Sequence, residues 1–465
     1  MYWEEKRMKR KVVSLILVTA LVASMTACGS SGEASTSGSS DSTSSGASSE
    51  EAKDDASAEN TSATGEDENT LTVWAWDETF NIYAMNEAAK VYQKDHPDVK
   101  VNVINMPWED TQTAITTAAT SGDYSTLPDI LLCQDNAFQK NVLSYPDLFV
   151  DITDSGIDFS QFAAGKTAYS VVDGKNYGVP FDNGAVIACY RTDILEQAGY
   201  TIEDLTDITW DEFQTIGEDV LAKTGYALNS TEAGEPDLVM MMLQSAGASL
   251  FDENGNPTIA DNDALKKVVE TYCSLAQAGV LQITDDNWDE YIKSFNSGKT
   301  AGAINGCWIM GSIQAAEDQS GNWGVTNMPS LVGVDGATNY SNNGGSSWAV
   351  TSNCKKTDLA TDFLNSTFAG SVDFYAGILP SSGAIATWSP AASADVYSEP
   401  SEFFGGEPVF TKIVDYASKV PSNNTGAYYY EARDTVAVAI TNVMNGADID
   451  SELANAQATV ESYMQ

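Results

Sequence analysis

His96 is the only histidine in the chain, so a Ser-His-Asp or Cys-His mechanism would rest on that one ring. It lies in "KDHPDVK", which reads as a turn between a helix and a strand, a poor seat for a general base. The six cysteines, at 28, 133, 189, 273, 307 and 354, are far apart and none forms a Cys-x-x-Cys pair. The five beyond Cys28 are odd in number and build neither a disulfide framework nor a zinc site. Isolated buried thiols are expected, with at most a bridge or two. "DENGNPTIADND" (252–263) has the character of a calcium loop, but Pro257 stands where the sharp turn needs glycine, so a hairpin tip is expected instead. Neither a metal nor another cofactor is expected.

The remaining chemistry is recognition. A pyranose has apolar C–H faces that lie on aromatic rings and hydroxyls that each donate and accept. Trp and Tyr answer the faces; Asp, Asn and Gln answer the hydroxyls. The chain carries 10 Trp and 20 Tyr. Trp76 and Asp77 end the stretch "LTVWAWD", and Asp135 and Asn136 end "LPDILLCQDN". Trp74 alternates with Trp76, which leaves open which ring is exposed, and Asp77 and Asp135 can also serve as helix N-caps. The 66 carboxylates also leave room for a secreted glycosidase, which needs two of them about 5 to 10 Å apart across a cleft.

These residues need elements to position them. "LTVWAWD" reads as a strand and "NIYAMNEAAKVYQKD" as a helix, with Ile82, Met85, Ala89 and Tyr92 at helical spacing and Pro97 to stop it. "VKVNVINM" is a second strand, "EDTQTAITTAATSGD" a helix ending near Gly122, and "LPDILLCQD" a strand buried on both faces. That order is the pattern of a parallel sheet wrapped by helices. After "YGVPFDNGAVIACYRTDILEQAGY" (177–200) a second α/β region begins. In it Thr209 and Glu212 form a capping box, and Met240–Met242 suit a packed helix core. The segments 358–370 and 433–464 are further amphipathic helices. Two α/β lobes are the simplest packing, and the chain from Leu71 onward is long enough to give each its own core.

The N-terminus carries an address. Five basic residues (6, 7, 9, 10 and 11) precede "VVSLILVTALVASMTA", an apolar run shorter than the roughly 20 residues of a comfortable membrane span. It reads as a secretory signal peptide, with Met8 the more natural start. "Met25-Thr26-Ala27-Cys28" resembles a bacterial lipobox with Met25 in place of the usual Leu, which implies that Cys28 is lipidated and anchors the chain at a membrane face. From Gly29 to about Asn69 the chain is Ser, Gly, Ala, Thr and acid, too poor in apolar side chains to fold, and is expected to be a disordered tether. The formal net charge of −43 repels nucleic acid and anionic lipid and disfavours a strongly anionic ligand.

Taken in order, "NEAAKVYQKDHPDVKVNV", "LPDILLCQDNAF", "YGVPFDNGAVIACYRTDILEQAGY", "TWDEF", "FNSGKTAGAINGCWIMGSI", "WAVTSNCKKTDLATDFL" and "YYYEARDTVAVAITNV" resemble the extracellular solute-binding proteins of ABC importers, in particular the maltose- and oligosaccharide-binding group. The similarity spans nearly all of 70–465. It implies an α/β, two-lobed, periplasmic-binding-protein-like fold, each lobe a mostly parallel sheet flanked by helices. Three hinge crossings would lie near "VPFDNG" (179–184), "GGSSWAV" (344–350) and "LPSSGA" (379–384). The expected organisation is a signal peptide with lipobox (1–27), the lipidated cysteine and tether (28–69), an N-terminal lobe (70–181 plus 349–383) and a C-terminal lobe (182–348 plus 384–465).

By motif matching, Trp308 in "NGCWIM" and Tyr429 in "AYYYEAR" fall where the family places stacking rings, and Asp135 where it binds hydroxyls. Tyr428 and Tyr430 compete with Tyr429 for that role. Ligands sit beyond the carboxyl ends of parallel strands, which favours Trp76, Asp77, Asp135 and Asn136. Asp182, Asn183 and Trp348 border the crossings, where turn capping or hinge packing would explain them equally well. The resemblance implies a non-catalytic, monomeric receptor, lipid-anchored at the extracellular face of the cell membrane. It would deliver a neutral oligosaccharide to ABC permease subunits. Among other solutes, an amino acid would ask for an arginine clamp and iron for Tyr/His clusters. A polyamine, met by acids and aromatics, is the nearest rival on composition.

Overall fold

The computed structural model describes residues 68–78 and 80–465. The expected signal peptide, Cys28 and nearly all of the tether lie outside the described residues. Among the described residues no helix is long and apolar enough to cross a membrane.

In the first lobe, strand β1 (Thr70–Ala75), helix α1 (Asn81–Tyr92), strand β2 (Lys100–Asn105), helix α2 (Trp108–Ser121) and strand β3 (Ile130–Gln134) follow one another. Helix α1 buries Ile82, Met85, Ala88, Ala89 and Tyr92 along one stripe. Helix α2 stops at Gly122, which takes the left-handed φ of 69° that glycine adopts without a Cβ penalty. β1 pairs parallel to both β2 and β3. Residues 130–133 are at most 1 % exposed, each large side chain contributing about 1.5–3 kcal/mol of burial.

Alternation along the strands divides this lobe's core. Leu71, Val73, Ile130 and Leu132 face one apolar layer, and Trp74, Leu131 and Cys133 the other. A short strand β4 (Val179–Pro180) leads to the second lobe, whose central strand is β5 (Val186–Arg191). The lobe continues with helix α3 (Trp210–Thr224), strand β6 (Asn229–Glu232), helix α4 (Asp237–Ser245) and helix α5 (Asp263–Gln277). Strand β7 (Leu281–Thr284), helix α6 (Trp288–Asn296), strand β8 (Gly302–Gly306) and strand β9 (Trp323–Thr326) complete this part. Thr209 and Glu212 form the capping box of α3, and Met240–Met242 are buried in α4. Asp252 holds the 252–256 tip as a tight hairpin, accepting from the backbone N–H groups of Asn254 and Asn256.

The chain returns through strand β10 (Ser346–Val350) into helices α7 (Thr357–Thr367) and α8 (Val372–Ser382). It then re-enters the second lobe, ending in α9 (Tyr429–Met444) and α10 (Ile449–Tyr463). The first sheet has the order β2-β1-β3-β10-β4, with β10 antiparallel to β3. The second lobe is less parallel than expected: β8 and β9 both pair antiparallel to β5, and only β6 with β7 is parallel. The cause is the same in both lobes. A strand that enters from a crossing starts at the hinge and runs away from it, against strands whose carboxyl ends point to the hinge; Ser346 pairs with Gln134, and Val186 with Gly306.

The crossings lie side by side. Phe181 N–H donates to Ser346 O at 3.0 Å, Asn343 N–H to Gly184 O at 2.8 Å, and Asn183 N–H to Ile385 O at 3.2 Å. A Cβ on Gly184 would stand 2.3 Å from Asn343 O, so only glycine allows that approach. The third segment, 379–384, is mostly the last turn of α8; the chain leaves that helix at Gly383 and crosses at 383–387.

The five cysteines from 133 to 354 are free and buried. Burial pushes the thiols of Cys133, Cys189 and Cys307 well above the usual range, which suits apolar packing and not nucleophilic chemistry. His96 is exposed in its turn, stacked on Tyr92 at 4.1 Å.

Candidate functional site

Each lobe carries a tryptophan pair beyond the carboxyl ends of its strands. In the first lobe Trp76 follows β1 and Trp108 opens α2 after β2; their rings meet edge to face at 5.3 Å. Trp76 is half-buried whereas Trp74 is 8 % exposed and packed into the core, so of the two it is Trp76 that offers a ring. The N–H groups of Trp76 and Asp77 both donate to Asn81 Oδ1, and exposed Asp77 accepts from Phe80 N–H. This fixes the turn that aims Trp76. In the second lobe Trp288 opens α6 after β7 and Trp308 follows β8, with ring centroids 5.9 Å apart. Trp288 is 43 % exposed.

These strand ends face the junction of the lobes. Gln134, the last residue of β3, accepts a hydrogen bond from the Tyr430 hydroxyl at the start of α9. Trp308 Nε1 donates to the carbonyl of Asn343, on the second crossing, at 2.9 Å.

Two expected ligand carboxylates are engaged inside the protein. Asp135 is 2 % exposed; it pairs with Lys166 and accepts from Ser347 Oγ at 3.0 Å. Burial pushes its pKa up to about 6 against the pull of Lys166. Asp182, 3 % exposed, accepts from Ser346 N–H at 2.8 Å and from Ser346 Oγ at 2.5 Å. Both hold the crossing at 345–347 in place through these internal contacts. Gly345, with φ of 97°, passes so near that an added Cβ would stand 2.5 Å from Asp135 Oδ2. Asn136 and Asn183 are half-buried beside this cluster.

Trp348 is removed from the cleft. In β10 it shares a face with Val350, beneath α7 and α8, and is fully buried against Phe181 and Phe368 at 5.6 and 5.4 Å. Strand alternation dictates this: the ring that would have lined a hinge pocket points to the opposite side. Tyr429 is 7 % exposed, edge-on to Tyr430.

The sequence did not single out Trp108, Trp288 or a charged cluster at the start of α9. Arg433 pairs with Glu235 and lies 3.3 Å from Asp237, which also accepts from Asn343 Nδ2 at 2.9 Å. Burial and the charge of Asp237 push Glu235 up to about 8, opposed by Arg433. Placement at the head of a helix after a strand was the signal available for Trp108 and Trp288. For Arg433 the only signal was its neighbourhood to "YYYEA". A cavity of about 530 Å³ lies elsewhere, between α9 and α10. It holds neither tryptophan pair, and its rim of Glu431, Asp434 and Glu452 is a poor match to a pyranose face.

Among the described residues no cluster of histidine, cysteine and carboxylate could hold a metal. The family described as "Bacterial extracellular solute-binding protein" matches residues 87–393. A lactose-binding protein of Rhizobium radiobacter is 38 % identical over 358 residues, covering 77 % of this chain and 84 % of the relative. An arabinooligosaccharide-binding protein of Halalkalibacterium halodurans is 24 % identical over 396 residues, covering 80 % and 84 %. The fold is that of the galacto-N-biose-/lacto-N-biose I-binding protein of the ABC transporter from Bifidobacterium longum, solved with lacto-N-biose: TM-score 0.70, 21 % identity, 85 % of this chain and 96 % of that one. With its paired lobes, its three crossings and this match over most of its length, the chain belongs to the bacterial extracellular solute-binding proteins.

Proposed function

We propose that this chain is the sugar-binding receptor of an ABC importer, which captures a neutral oligosaccharide between its lobes and presents it to a membrane permease without altering it. The observation that carries this reading is the pair of tryptophans on each lobe. A ring platform on each lobe suits a ligand of at least two pyranose units, each with an apolar face to cover. The likeness to a lactose-binding protein over most of the chain points the same way. A polycation fits less well, because Asp135, Glu235 and Asp237 already have cationic partners in Lys166 and Arg433.

The two lobes are the bodies that close on the sugar, with β10 (Ser346–Val350) moving as part of the first lobe, whose sheet it joins. A ligand gripped by both favours the closed form by its differential affinity. Cys28, lipidated after signal cleavage, holds the monomeric receptor at the extracellular face, and the tether lets it reach the permease. A thermal-shift screen over lactose, galactobiose, arabino- and malto-oligosaccharides, with polyamines as controls, tests the reading, since bound ligand raises the melting temperature by mass action. A shift with polyamines alone would overturn it. Prolonged incubation with the bound sugar should release no new reducing ends.

A further inference from the structure

Helix α9 belongs to the second lobe, where Ala432, Val436, Ala439 and Ile440 are buried in the core. Its first turn nevertheless reaches the first lobe. Tyr430 packs against the layer of Trp74, Leu131 and Phe138 and donates its hydroxyl hydrogen to Gln134 Oε1. Glu431 pairs with Lys140, on the first lobe's 138–144 helix. On the same turn Arg433 faces back into its own lobe, fastened to Glu235 and Asp237, with its guanidinium 5.9 Å from the Tyr430 ring. None of these contacts lies on the three crossings, so a hinge rotation that parts the lobes must break the Tyr430 and Glu431 contacts and leave the Arg433 anchor intact.

We infer that the first turn of α9 is a closure latch. Tyr430–Gln134 and Glu431–Lys140 are made only when the lobes meet, and Arg433 holds the turn in the pose that makes them. These are positioning residues for sugar capture, setting affinity through the closed population. The inference rests on the proposed reading that the lobes open to admit a sugar, but its primary test needs no sugar.

The latch is tested on the full-length mature chain by the open-to-closed ratio without ligand, from small-angle scattering or from fluorophores placed one on each lobe. The Lys140–Glu431 pair is about a third exposed, so Lys140→Ala or Glu431→Gln should raise that ratio roughly twofold to fivefold. Tyr430→Phe, which strands a half-buried acceptor, should raise it about fivefold to tenfold. Affinity for the best sugar of the screen should fall in step with the closed fraction, by at most the same factors. The double variant Lys140→Glu with Glu431→Lys should restore closure that either single reversal loses, which a general folding defect would not do. Added salt should open the parent protein and leave Lys140→Ala unmoved. An unchanged open-to-closed ratio in Tyr430→Phe and in both charge reversals would overturn the latch, whatever sugar the protein binds. A latch effect with no sugar response would instead count against the functional reading alone.

Discussion

Trp308 Nε1 donates to the carbonyl oxygen of Asn343 at 2.9 Å, so an indole of the second lobe is tied to the segment that leads back to the first. Asn343 also donates to Asn305 and Asp237 through its side-chain amide. The ring therefore keeps a set angle relative to the crossing, and a sugar stacked on it, as proposed, would meet a preorganised surface.

Trp308→Ala should weaken binding of the best oligosaccharide on the order of tenfold or more, the loss of one stacking face. The sugar-free protein should melt within a few degrees of the parent. Isothermal titration beside a melting curve decides it; an unaltered affinity would take Trp308 out of the site.

Trp348→Ala should do the reverse. Emptying a fully buried indole site costs about 3–5 kcal/mol, read as a lower denaturation midpoint, while the protein that remains folded binds sugar almost as before. A selective loss of binding at unchanged stability would return Trp348 to the cleft.

Gly345→Ala should destabilise by about 1–3 kcal/mol. The residue holds φ of 97°, and the new Cβ would press on the buried Asp135–Lys166 pair at 2.5 and 2.8 Å. Gly122→Ala is the comparison. It too has positive φ, 69°, but nothing lies within 4 Å of the added carbon, so its cost should be the backbone part alone, about 1 kcal/mol. Equal costs in urea titrations would mean the hinge cluster yields freely.

Glu235 links stability to pH. Its carboxyl, raised from 4.5 to about 8 by burial and by Asp237, holds a proton in the folded chain that the unfolded chain releases. That contribution is complete below about pH 4.5 and disappears as pH climbs through about 8. Asp135, raised to about 6, adds to the lower part of the window. Melting temperatures should therefore fall as pH rises from about 4.5 to about 8, and Glu235→Gln should flatten that stretch of the curve. The same slope in both proteins would place the proton elsewhere.

Much of the architecture was legible because it is written locally. The helical stripe of α1, the capping box at Thr209, the doubly buried run of β3 and the left-handed stop at Gly122 each depend on residues within a few positions of one another. Trp76, Asp77 and Trp308 were readable as candidates because they lie just past strands or beside a helix start. Trp348 misled because its Gly- and Ser-rich flank suggested a hinge, while the pleat of β10 turned its ring into the core.

The sequence by itself determined the order of elements, the two-lobed class and the supply of aromatic rings, since these follow from short-range periodicity and side-chain chemistry. Only the tertiary structure decided how the charged groups are spent. Asp135 with Lys166, Arg433 with Glu235 across 198 residues, and Tyr430 with Gln134 across 296 residues meet through the packing of separate elements. Each carboxylate or amide has the same intrinsic chemistry wherever it falls, and burial beside a particular partner is what makes it a strut, a latch or a ligand contact.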